Sequence, residues 1–163
     1  MNQIELAADA LGSTLGMFNM TIADFSEADM LTRPVPGANH PAWQIGHLIA
    51  AETSMGNMIK PGGMPELPAG FADKFSKETA SKDDAGFFPK KAVLVDLLTK
   101  THTAFSNLVR TLTPADMDTP TSGRMATMAP TNAHLVGLAT GHLMMHMGQL
   151  QVLRRKLGKP ILF

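Results

Sequence analysis

The chain has 163 residues, and a domain of that length buries roughly two thirds of its unfolded surface without help from disulfides. Fourteen Lys and Arg balance fourteen Asp and Glu, and the densest basic cluster (Arg154, Arg155, Lys156 and Lys159) is too small for a nucleic-acid footprint. With 44% apolar residues, 17% charged residues and no cysteine, the composition is that of one globular domain over 1–163, and it excludes disulfides, thiolate metal ligands and a cysteine nucleophile.

Four segments carry helical periodicity. The first places Ile4, Leu11, Leu15, Phe18, Ile22 and Phe25 at spacings of three, four or seven. Its opening, "MNQIELAADALGSTLG", has no basic stretch and carries Glu5 and Asp9, so it does not read as a signal peptide. The second segment opens at Pro41, a residue suited to a first helical turn, and runs to about Ile59, where "KPGGMPELPAG" stops it. A third runs from about Pro89 to Leu112, with Leu94, Leu98, His102, Phe105 and Val109 on one stripe. The fourth runs from about Pro130 to Gly158, and its inward stripe reads Leu135, Leu138, His142, Met145, His146, Gln149 and Leu153. No run alternates apolar and polar residues as a strand would, and His134, His142 and His146 interrupt the longest apolar stretch before it could span a membrane. The expectation is an all-α four-helix bundle, soluble and cytoplasmic, with helices of roughly 30 to 40 Å. The connection over 60–88 is long enough to let helices two and three lie parallel and to serve as a lid over a site.

The histidines carry the chemistry. Four residues along an α-helix advance it by about 400° and 6 Å, so His142 and His146 share a face about 40° apart and can meet one ion. Between them stand Leu143, Met144 and Met145 rather than the glutamate of a zinc protease, which excludes that chemistry. Catalytic zinc usually has three protein ligands, so a third must come from another helix. His47, inside the second helix in "PAWQIGHLIAAE", ranks first and His102 second, while His40 and His134 read as capping or surface groups. Neutral imidazoles on apolar faces leave ring nitrogens that cost about 1–3 kcal/mol each if unpartnered, and one metal ion relieves several at once. A lone helical histidine such as His102 is also explained as a satisfied core residue, and the methionines of this helix as core filling. Gln149, one turn after His146, is a candidate partner for a ligand or a metal-bound group.

"HLMMHMGQLQVLRRKLGKP" resembles the last-helix signature of the DinB/YfiT-like metalloenzymes, and "PGANHPAWQIGHLIAAE" is similar to that family's second helix. The resemblance implies an up-down-down-up four-helix bundle that forms homodimers. It also implies His47, His142 and His146 as ligands of a divalent metal, and small thiols as cosubstrates in characterised relatives. Imidazole ligands suit zinc first, with nickel or iron as alternatives. Two functions follow as expectations. One is a metal-dependent transferase or hydrolase in which water or a low-molecular-weight thiol attacks a small electrophile, with His102 as a further group near the site. The other is a non-catalytic bundle whose metal ties helices together for dimerisation or partner binding. Glu52 lies about 140° round the helix from His47 and is a poor general base.

Overall fold

The computed structural model describes residues 2–163. Four long helices form the bundle: α1 (Gln3–Ile22), α2 (Pro41–Ile59), α3 (Lys91–Arg110) and α6 (Asn132–Lys156). Two short ones, α4 (Pro114–Asp118) and α5 (Met125–Met128), precede the last. Among the described residues there is no strand, only an isolated bridge between Pro120 and Thr131. Among the described residues no helix is long and apolar enough to cross a membrane.

The ends follow from local chemistry. Asn2 and Glu5 form a reciprocal capping box on α1, so two backbone N–H groups that the helix leaves unpaired are satisfied by side chains. Pro41 opens α2, and the imidazole of His40 accepts the Trp43 N–H as its cap. Gly158, at φ 66°, adopts the left-handed conformation that ends the α6 segment. α1 stops at Ile22, so Phe25 lies beyond it while still buried. There the guanidinium of Arg154, from α6, donates to the Thr21 carbonyl and pairs with Asp24.

Cross-helix contacts fix the directions. Arg110, at the end of α3, reaches Asp9 near the start of α1, and Lys91 at the start of α3 donates to the Ala23 and Phe25 carbonyls just past the end of α1. These two helices are antiparallel. Gln151 and Arg154 meet Thr21, so α6 runs parallel to α1, and His146 meets Gln44, so α6 opposes α2. The result is up-down-down-up, with α2 and α3 parallel.

Parallel neighbours need the long connection. Residues 60–90 are not a free lid, because Phe71, Phe75 and Phe88 are buried in one cluster with Trp43 and Leu98. Arg33 donates to the carbonyls of Ala38, Ala80 and Lys82 and pairs with Asp83, while Trp43 Nε1 donates to the Ser76 carbonyl.

The fourth helix is turned from its expected phase. Leu135, Val136, Ala139, Leu143, His146, Met147, Leu150 and Leu153 are buried. Met145 and Gln149, expected to face inward, are exposed. The inward stripe is thus centred near Leu143 and Leu150, which places His142 at the core's edge rather than in its middle.

Candidate metal centre

Where α2 and α6 pack antiparallel, His47 faces His142 and His146. Ring centroids are 5.0 Å apart for His47 and His142, 5.6 Å for His47 and His146, and 4.8 Å for His142 and His146. One nitrogen from each ring lies within 4.8 Å of the other two, and the Nε2 atoms of His142 and His146 are 3.1 Å apart. Nitrogens sharing one tetrahedral zinc stand about 3.3 Å from each other, so the α6 pair is already near that spacing. The three residues can hold a divalent ion.

Each ring but one is fixed by a partner outside the triad. Gln44, fully buried, donates its Nε2 to the Asn39 carbonyl at 2.6 Å, which leaves Oε1 to face His146 Nδ1 at 2.9 Å. That oxygen can only accept, so the proton of His146 sits on Nδ1 and the lone pair on Nε2, facing His142. His47 stacks on Trp43, centroids 4.8 Å apart and planes 12° apart, with the Phe75 backbone near enough to favour its protonated form. Gly46 makes this possible, because a Cβ there would lie 2.1 Å from the Phe75 ring. His142 is the exception, touching the other two rings and, among the described residues, hydrogen-bonding only to His146.

Protonation matches ligation. Burial and, to a smaller extent, the neighbouring rings push His146 down to about 3, and burial with His47 pushes His142 down to about 4. Burial also lowers His47, partly offset by the Phe75 carbonyl. At neutral pH the three rings are uncharged and present lone pairs.

The site is open on one side. A pocket of about 290 Å³ is walled by His47 and His142 and by the methionines Met55, Met58, Met125 and Met128. Its cover comes from α5, not from the 60–88 connection expected to enclose it; that connection instead supplies Phe75 behind His47.

The remaining candidates lie elsewhere. His102 is fully buried between Glu52 Oε1, 2.8 Å from its Nδ1, and the Leu11 carbonyl, 2.7 Å from its Nε2. It pairs with a carboxylate in the core and does not join the triad. Gln149 is exposed, without a hydrogen bond among the described residues, because α6 is rotated from its expected phase. His40 caps α2 and donates Nε2–H to the Lys82 carbonyl, so it is buried rather than on the surface. His134 is exposed and paired with Thr131. Sequence reasoning missed Gln44, although its place three residues before His47 puts both on one face of α2.

Similarity to known proteins bears on the same residues. No curated protein matches the chain. A solved structure described as "YfiT from Bacillus subtilis is a probable metal-dependent hydrolase with an unusual four-helix bundle topology" superposes with a TM-score of 0.68 at 16% identity, over 98% of this chain and 91% of that one. At that identity the likeness establishes the fold. The family model of the DinB superfamily matches residues 10–150, a span that contains all three histidines, and the chain belongs to that superfamily.

Proposed function

We propose that the protein is a metal-dependent transferase or hydrolase, in which His47, His142 and His146 hold a divalent ion and water or a low-molecular-weight thiol attacks a small electrophile in the adjoining pocket. The observation that carries this reading is the convergence of three neutral imidazoles, two of which, His47 and His142, wall an open pocket. A structural metal site is closed on four protein ligands, whereas a catalytic one keeps a position for water or substrate. The description of YfiT as a probable metal-dependent hydrolase supports the same class of chemistry.

When bound, the ion supplies Lewis acidity, lowering the pKa of water or of a thiol and polarising a substrate oxygen. The protein's own residues do the rest. The hydrogen bond to Gln44 holds the imidazole of His146, and the stack on Trp43 holds that of His47, so that little reorganisation accompanies ligation. The methionines give the substrate an apolar surface to lie against. No carboxylate lines this pocket, and the buried Glu52 is engaged with His102, so proton transfer falls to the nucleophile and to solvent at the pocket mouth. The nitrogen-only ligand set favours zinc, then nickel or ferrous iron.

The test is elemental analysis of untagged protein prepared without a nickel column, followed by titration of metal-free protein with zinc. One ion per chain is expected, with affinity at least about 100-fold lower in His142→Ala and His146→Ala. Less than about a tenth of an ion per chain after zinc addition overturns the site. Cobalt-substituted protein should change its visible spectrum when azide is added, and a spectrum indifferent to azide replaces the catalytic reading with a structural one.

A further inference from the structure

The pocket beside the triad has a chemical character that narrows its occupant. Its floor and rim come from two directions: Ala51, Ser54, Met55 and Met58 on α2, and Met125, Met128 and Leu138 on α5 and α6. Among the described residues no Lys, Arg, Asp or Glu lines it. Ser54, exposed and without a hydrogen bond among the described residues, offers the one hydroxyl. Met58 and Met128 are 49% and 63% exposed although both are large and apolar. Single exposed apolar residues need no explanation, but four methionines gathered round one concavity beside reactive groups form a binding wall. Methionine side chains are unbranched and polarisable, so such a wall adapts to apolar ligands of different outline.

Charge decides between ligand classes. Away from the ion that His47 and His142 would hold, a carboxylate or phosphate on the ligand would meet no cationic partner among the methionines and would lose hydration that nothing returns. A cationic ligand would meet no acid. An uncharged, largely apolar molecule loses nothing on entry and buries its surface against thioethers. A dry cavity of about 150 Å³ accommodates benzene, so 290 Å³ suits a molecule with one or two rings or an equivalent alkyl group.

We infer that the pocket formed by Met55, Met58, Met125 and Met128 binds the uncharged aryl or alkyl part of a substrate, whose polar reactive group points to His47 and His142. The assignment rests on the triad being the reacting centre, and it identifies the electrophilic partner of the proposed reaction. Any anionic character of a thiol cosubstrate must then be met outside this pocket.

The test uses full-length protein with carbon-13-labelled methionine methyl groups, metal-free and zinc-loaded, titrated with 2-naphthalenemethanol and separately with 2-naphthoate. In both metal states the alcohol should shift the methyl resonances of Met55, Met58, Met125 and Met128, identified by Met→Leu replacement. In the metal-free protein naphthoate should bind at least about tenfold more weakly. Met58→Lys and Met128→Lys, at exposed positions where the fold is not at risk, should each weaken binding of the alcohol several-fold. Absence of shifts at these four methyls under millimolar alcohol overturns the inference, as does equal or tighter binding of naphthoate without metal. Zinc titration is read separately. Binding of the alcohol to a protein that takes up no zinc upholds the pocket and removes the metal reading, whereas zinc uptake with no response to the alcohol does the reverse.

Discussion

The histidine triad and His102 lie on neighbouring helices of this bundle, and their surroundings give them opposite properties. His47, His142 and His146 have no carboxylate beside them; burial drives their pKa values down and their lone pairs stay available. His102, one helix away, has Glu52 at 2.8 Å in a site where both side chains are 0% exposed. Burial opposes its charged form, but the hydrogen bond and charge of Glu52 outweigh burial and raise its pKa. Glu52 is itself raised by burial, with His102 opposing. Since the Leu11 carbonyl can only accept, Nε2 of His102 carries a hydrogen, and the pair holds one further proton between Nδ1 and Oε1. His102, with its buried acid, is spent on the fold, whereas the triad, with no acid beside it, is left for a ligand.

The largest way to break this contrast is at the paired site. Glu52→Ala leaves His102 buried without its partner and should cost about 3–5 kcal/mol in urea denaturation. Replacing both, Glu52→Leu with His102→Leu, should recover at least half of that loss, since no buried polar group is stranded. Folded double variant should still bind zinc with parental affinity. A cost below about 1 kcal/mol for Glu52→Ala would show that the pair does not hold α2 to α3.

The same contrast predicts a pH dependence with two limbs. In metal-free protein His142, at about 4, and His146, at about 3, both lie below their ordinary value of 6.5, so the unfolded chain binds more protons as pH falls below 6.5. Stability is therefore lost on the acid side, and the loss is complete only once pH reaches the folded values. Between pH 7 and 5 the two rings together should lower stability by roughly 3 kcal/mol, allowing for the partial exposure of His142. His102 acts in the other sense. Its raised value adds stability that is fully present below 6.5 and is lost as pH rises through the folded value. The double variant, Glu52→Leu with His102→Leu, should keep the acid limb and lose the alkaline one. Urea titrations from pH 5 to 9 separate the two; burial lowers His40 and His47 as well, so part of the acid limb should remain in His142→Ala with His146→Ala, and an acid limb undiminished in that variant contradicts the assignment.

A smaller effect probes what holds the triad. Gln44→Ala frees the ring of His146 and should lower zinc affinity by about 10–100-fold, read in competition with a chelator. Gln44→Glu puts a carboxylate on Nδ1 and should retain binding. If Gln44→Ala leaves affinity unchanged, the hydrogen bond to His146 is not orienting the ligand.

Much of this was legible in the residues. The α2 boundaries, Pro41 to Ile59, coincide with their proline start and Gly/Pro-rich stop, because both signals act locally on backbone geometry. The four long helices and the shared face of His142 and His146 were also readable, since an i,i+4 pair needs only the pitch of one helix, whereas His47 follows from its apolar surroundings and from the family resemblance. What escaped depends on how helices meet. Gln44 is meaningful only once α2 and α6 pack antiparallel, and Glu52 becomes a structural partner only because α3 brings His102 beside it. The Phe75 carbonyl lies on a connection whose path no periodicity describes.

Gln149 shows why the phase of α6 was the hardest feature. Apolar residues are spread round much of this helix, with Met144, Met145 and Val152 exposed and Leu143, Met147 and Leu150 buried, so hydrophobic spacing alone does not single out one face. Centring the stripe on the histidines turns it away from its real axis and brings Gln149 inward. The exposed position predicts that Gln149→Ala changes stability by less than about 0.5 kcal/mol, and zinc affinity should stay as in the parent. Paired with Gln44→Ala, which removes the same side-chain amide from the opposing helix, it makes a direct test of helix phase by mutation. A zinc-affinity loss at Gln149 equal to that at Gln44 would require α6 to be rotated about its axis. The buried order of Leu143, Met147 and Leu150 would then no longer hold.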